Sequence, residues 1–233
     1  VEHPEPPWRT SAPKPTRRQL SQALVVDTAL AILDAEGLDA VTMRRVATAL
    51  DTGPASLYAH VSNKGELHEL MLERVLAEVE LPVVDPARWR EQLKELCQRQ
   101  VGALVAHPGM AKVAMEVVVP ASEDAFVHAE ALLSLLRAAG VSDQRAAIGF
   151  EVLTLFCTAF AVEASAVRHG EVSEEELRER AKRMGQYVAA LPPDRFPALL
   201  AMGHRLGGGE DRFDQALDLI IDGLVAHPKG GES

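Results

Sequence analysis

Thr42-Met43-Arg44-Arg45-Val46-Ala47-Thr48-Ala49-Leu50-Asp51-Thr52-Gly53-Pro54-Ala55-Ser56-Leu57-Tyr58-Ala59-His60-Val61-Ser62-Asn63-Lys64 decides the fold of this chain: two short helical stretches broken by a turn. Thr42 is a good N-cap for a helix over 43–50, in which Val46 and Leu50 share a face at i, i+4 spacing. Asp51, Thr52 and Gly53 supply the turn. Pro54 suits the first position of the next helix, where its missing N–H would find no partner anyway. That helix, over 55–61, completes barely two turns, too short to form a stable core element alone. Two short helices around a tight Gly-containing turn are the helix-turn-helix pattern.

A helical wheel assigns the faces. Leu57 and Val61 fall together and turn toward Val46 and Leu50, leaving Ala55 and Ala59 on the outer side with Ser56, Tyr58 and His60 flanking them. Small alanines allow close approach to thymine methyls, Ser56 can bond a base edge or a phosphate, and Tyr58, His60 and Lys64 can donate to phosphates. Arg44, at the start of the first of the two helices, is the best candidate for a bidentate guanine contact. Tyr58 and His60 can also be read as packing residues at helix ends, and Arg45 as a solvated charge.

Upstream, helical periodicity from Leu20 through Leu33 ends at Gly37. Asn63 caps a fourth helix over 64–80. Residues 1–16, with Pro4, Pro6, Pro7, Pro13 and Pro15, read as a stiff arm. Lys14, Arg17 and Arg18 at its inner end suit a DNA groove, or a merely solubilising tail. Residues 17–80 form the expected helix-turn-helix head, and residues 81–233 the body, after a junction containing Pro82 and Pro86. Body helices are expected at about 87–106, 109–117, 123–139, 143–169, 174–190, 194–205 and 210–226, broken at Pro108, Pro120, Gly140, Gly170, Pro192 with Pro193, and 207–209. With 47% apolar and only 4% aromatic residues, the expected fold is all-α: a three-helix head and a C-terminal helical bundle.

Charge divides along the same boundary. The chain carries a net −10, yet residues 8–64 hold seven Lys/Arg against five Asp/Glu, so the surplus of acid lies in the body. Phosphates would be repelled there, which leaves the head as the part that can face DNA. Cys97 and Cys157 lie in apolar helical runs without metal-ligand spacing and are expected to be buried small hydrophobes. No apolar leader or membrane-length segment is read, so a cytoplasmic protein without membrane contact is expected. Catalytic patterns are unconvincing. Gly207-Gly208-Gly209 lacks the Lys and Ser/Thr of a phosphate loop, Gly53-Pro54-Ala55-Ser56 is no nucleophile elbow, and His60 with His68 lacks the i, i+4 zinc spacing. No enzyme and no cofactor are expected. A ligand carrier acting through a protein partner is the other class that fits.

Thr42 to Ala47, followed by Gly53 to Lys64 with its Leu-Tyr-x-His-Val-x-x-Lys core, resembles the DNA-binding signature of the tetracycline repressor (TetR) family. Ala106-His107, Ala111-Lys112-Val113, Val162-Glu163 and Leu219-Ile220-Ile221-Asp222-Gly223-Leu224 resemble that branch's ligand-binding body. The resemblance implies a homodimer that reads a palindromic double-stranded operator and is released by a small-molecule inducer. It also implies that Arg44, Ala55 and Ser56 meet bases and that Thr42, Tyr58, His60 and Lys64 hold phosphates. Pro54 departs from the polar reader common in this branch.

Tetracycline-responsive members hold a magnesium chelate with a histidine and a threonine after the Ala-Lys-Val stretch, and here those places are Ala114 and Val117. Neither offers a lone pair to a hard cation, and Glu163, which matches an acidic position, is a single carboxylate. The expectation is therefore an apolar organic ligand without metal, lined by some of Leu96, Gln100, Ala114, Val117, Val118, Phe150, Leu153 and Phe156, with Glu163 nearby. Residues 146–162 are hydrophobic on nearly every side. With Phe213, Leu217, Ile220, Ile221 and Leu224 of the last helix they suit a four-helix dimer interface, or a monomer's core helix.

Overall fold

The computed structural model describes residues 20–117, 122–203 and 211–226. Arg17, Arg18, the proline arm, Val118, Pro120 and the glycines at 207–209 lie outside the described residues. Within them the chain is all-α.

The head comprises α1 (Gln22–Glu36), a 3-10 turn (Leu38–Ala40), α2 (Met43–Ala49), α3 (Pro54–Leu57) and α4 (Lys64–Leu76). Side-chain caps set their starts. Ser21 accepts from the Leu24 N–H at 3.2 Å, Thr42 from Arg45 at 3.1 Å and Asn63 from Glu66 at 3.0 Å. Gly37 ends α1 at φ +84, a conformation that costs glycine little. Val25, Ala29 and Leu33 of α1 bury against Val46, Leu57, Val61, Leu67 and Met71, all close to fully enclosed. Two helices end earlier than expected. The regular part of α3 ends at Leu57, and a turn then carries the chain to Val61, whose N–H donates to the Leu57 carbonyl at 2.9 Å. α4 stops at Leu76 rather than 80. The left-handed residue of the helix-turn-helix bend is Asp51 at φ 50, while Gly53 has an ordinary φ of −83. Aspartate tolerates this region better than most side chains.

The body comprises α5 (Trp89–Ala106), α6 (Met110–Glu116), α7 (Glu123–Ala138), α8 (Asp143–Arg168), α9 (Glu174–Ala189), α10 (Pro197–Met202) and α11 (Arg212–Val225). The 26-residue α8 is central, packed on α5, α6, α7 and α11. It overturns the expectation that nothing reaches membrane length: a stretch of mean hydropathy 1.7 makes it long and apolar enough to cross a bilayer. Its neighbours account for part of that composition: a third of the stretch is buried within the protomer, while Ile148, Val152 and Leu155 remain exposed. Cys97 and Cys157 are both buried, as expected from their apolar surroundings. They are also neighbours across α5 and α8, and the Cys97 thiol together with burial pushes the Cys157 thiol far up, leaving it unreactive.

Head and body meet where α4 packs on α5, α6 and α7, and again at the turn between α5 and α6. His107 Nδ1 lies 2.7 Å from Asp34 Oδ1 of α1. Gly109, at φ +86, faces Leu38 so closely that a Cβ there would lie 2.9 Å from the leucine Cβ. α9 is different in kind. A capping box at Ser173 and Glu176 starts it, none of its described side chains is buried, and it packs chiefly on α10.

Candidate nucleic-acid interface and ligand cavity

The outer side of the helix-turn-helix is built by what the inner side requires. Val46 and Leu57 are completely buried and Val61 nearly so. Because α3 is a single turn, enclosing Leu57 forces Pro54, Ala55, Ser56, Tyr58 and Ala59 outward, and all five are exposed. Arg44 and Lys64 are exposed beside them and, among the described residues, neither is ion-paired. Arg45 is different: its guanidinium is hydrogen-bonded to both carboxylate oxygens of Glu36, which holds that carboxyl below its usual range. His60 is half-buried, and its carbonyl accepts from the Gln22 side chain at 3.2 Å. Thr42 is exposed but its hydroxyl already accepts the capping bond, so only its proton is free to donate to a phosphate. Glu66 accepts from the Ser62 N–H at 2.6 Å, a bond that lowers its pKa and fixes the entry to α4 beside Lys64.

Below the head, α4, α5, α6, α7 and α8 enclose a cavity of about 470 Å³. Leu72 and Leu76 of α4 form one wall, so the helix that begins at Lys64 ends on the cavity. Of the residues expected to line it, Gln100, Ala114, Val117 and Phe150 do so. Leu96 and Leu153 do not, because both are sealed in the core. Phe156 stacks on Phe213 of α11 with ring centroids 5.4 Å apart, and Glu163 is paired with Arg212 at 2.7 Å. The cause is helical phase. Phe150, Thr154 and Thr158 follow one another at i, i+4 toward the cavity, whereas Leu153, Cys157 and Ala161 follow the adjacent row into the core.

The wall also holds His128, Glu151, Thr154, Thr158, Leu72 and Leu76, which sequence reasoning missed. The threonine pair spaced four apart after Phe150, and a lone imidazole in the apolar stripe of α7, were the available signals. Ala114 and Val117 present only hydrocarbon to the cavity, and no group of three or more His, Cys, Asp or Glu side chains suited to a metal occurs among the described residues.

On α11, Leu217 and Ile221 are buried against the protomer's own α8, and Gly149 of α8 lies so close to Leu224 that a Cβ there would sit 2.9 Å from its side chain. On these two helices the large apolar side chains left exposed are Ile148, Val152 and Leu155 of α8 and Leu219 of α11, while Phe213, Ile220 and Leu224 are half-buried. An interface between protomers built on α8 and α11 would therefore use the exposed and half-buried members of this set, with Leu217 and Ile221 kept in the protomer's own core.

Two family models match. One, described as bacterial regulatory proteins, tetR family, covers residues 25–71, and another, described as tetracyclin repressor-like, C-terminal domain, covers residues 81–227. The transcriptional repressor DrrR1 of Streptomyces coeruleorubidus is 32% identical over 231 residues, spanning 94% of this chain and 82% of that protein. ActR of Streptomyces coelicolor, solved in complex with actinorhodin, superposes with a TM-score of 0.83 at 40% identity over 92% of this chain and 99% of its own. BioQ, solved with its double-stranded DNA operator, gives 0.63 at 27% identity over 90% and 100%. The chain belongs to the TetR family of DNA-binding transcriptional regulators, head and body alike.

Proposed function

We propose that this regulator is a homodimeric repressor that leaves a palindromic operator when an organic inducer fills the body cavity. The observation that carries this reading is the course of α4: it starts at Lys64 beside the outward face of α3 and ends with Leu72 and Leu76 on the cavity wall. A molecule that shifts this wall therefore shifts the base of the head, and in a dimer it changes the spacing of two heads. In this reading Arg44, Pro54, Ala55 and Ser56 face bases. Thr42, Tyr58, His60 and Lys64, with Arg17 and Arg18 of the arm, hold phosphates. The exposed Ile148, Val152 and Leu219 pair across the two-fold axis, in keeping with the apolar surface an obligate dimer must cover.

The inducer is an organic molecule bound without metal, given the hydrocarbon at positions 114 and 117 and the mainly apolar wall. The likeness to ActR, solved with actinorhodin, favours a flat aromatic compound of that kind. The test is a gel shift on the chain's own promoter fragment. Binding should weaken steeply as salt rises, because phosphate contacts release counterions, and actinorhodin should free the DNA. Affinity for that fragment no greater than for random DNA would overturn the reading.

A further inference from the structure

His128 stands in the cavity wall on α7, and its Nε2 lies 3.1 Å from the Leu76 carbonyl oxygen in the last turn of α4. A carbonyl can only accept, so Nε2 carries the proton, and in the neutral ring Nδ1 is left with a lone pair. Nδ1 has no hydrogen-bond partner in the protein, and it is not sealed from solvent as His68 Nε2 is. Burial holds the ring in its neutral form, against the Leu76 bond and the Asp124 carboxylate one turn earlier on α7, both of which favour the charged one.

We infer that His128 sets the ligand class of this cavity by offering Nδ1 as a fixed acceptor to a hydroxyl of a bound aromatic molecule. The inference rests on the cavity being the inducer site. The other polar groups do not impose the same demand. Gln100, Thr154 and Thr158 each carry both a donor and an acceptor and adapt to either, and Glu151 is an exposed carboxylate that water can satisfy. Only the imidazole, its tautomer fixed from outside the cavity by α4, combines enclosure with acceptor-only chemistry. A ligand that meets it with an ether or a ketone places two lone pairs against each other. One that meets it with a phenolic hydroxyl completes the bond while Leu72, Leu132 and Phe150 cover its ring.

The test uses the full chain and two probes, 2-naphthol and 2-methoxynaphthalene, the second carrying a methyl group in place of the hydroxyl proton; His128→Leu reports the effect of that methyl on its own. Calorimetry should give about a tenfold preference for the naphthol, the size expected for one hydrogen bond to a half-buried acceptor. His128→Gln, whose amide can donate to Leu76 and accept from the probe, should keep most of that preference, and His128→Leu should lose it. With 15N-labelled histidine in the unmutated chain, the Nδ1 resonance of His128 should move on addition of 2-naphthol and stay put with the methyl ether, a readout independent of how the variants fold. Equal binding of both probes with an unmoved resonance would overturn the role of His128 and leave the cavity reading standing. Binding of neither probe would overturn the cavity reading and this inference with it.

Discussion

Arg44 and Lys64 are both exposed cations beside the outward face of α3, yet a duplex would use them differently. The guanidinium of Arg44 has a planar pair of donors and no carboxylate to hold it, whereas its neighbour Arg45 is engaged by Glu36. Arg44→Ala is expected to cost about 1–3 kcal/mol on the preferred operator and to flatten the preference among base substitutions, measured by fluorescence anisotropy on a set of duplexes. Lys64→Ala should weaken binding to every duplex alike and reduce the slope of log affinity against log salt by about one. An Arg44→Ala protein that still discriminates between bases as before would remove it from the readout. These residues were legible in the sequence because the wheel needs only two anchors. Once Leu57 and Val61 are placed inward, Pro54, Ala55, Ser56, Tyr58 and Ala59 are left outside, with His60 half-buried at the edge.

α3 exists because of what it buries. Four residues of helix have no stability of their own in water, since nucleation alone outweighs the few hydrogen bonds they make. Leu57→Ala should therefore destabilise the head by about 2–5 kcal/mol, the usual range for a leucine deleted from a packed core. Thermal unfolding should show this loss, and DNA binding should fall with it while probe binding in the body persists. Persistence of full operator affinity in that variant would mean α3 is held by something other than its buried face. α8 shows the opposite limit of legibility. With apolar residues on nearly all sides its pattern has no dominant face, so the sequence could place it at the centre but not say which row met the cavity. Hence the sequence places Leu153 and Phe156 of α8 on the wall and passes over Thr154 and Thr158. Hydrophobicity alone cannot separate a cavity wall from a packed core, because both are apolar.

At the scale of the molecule, two histidines tie stability to pH. His68 of α4 has a buried Nε2 with no partner. Burial, then the Lys64 charge, lower its pKa, with Glu116 of α6 opposing. His128 is lowered chiefly by burial. Both are neutral in the fold, while the unfolded chain takes up protons as pH drops below the ordinary value of 6.5. Their contribution is thus complete above that value and is lost as the medium turns acidic. The shifts at Glu36 and Glu66 act only near the carboxylate range around 4.5, and that of Glu73, raised by burial, has the opposite sign. The melting temperature should fall between about pH 7.5 and about pH 5.5, and replacing both histidines by glutamine should flatten that dependence; circular dichroism would check it. An unchanged slope in the double variant would locate the titration elsewhere.

Leu38 resting on Gly109, with Asp34 against His107 beside it, bears on how freely such regulators can be recombined. A chimera that grafts this head onto a foreign body would need a bare backbone at the matching turn, because any side chain there would meet the leucine and tilt the graft off its seat. Shuffling the two halves as interchangeable cassettes would then yield well-folded but misaimed hybrids unless positions 38 and 109 travel together.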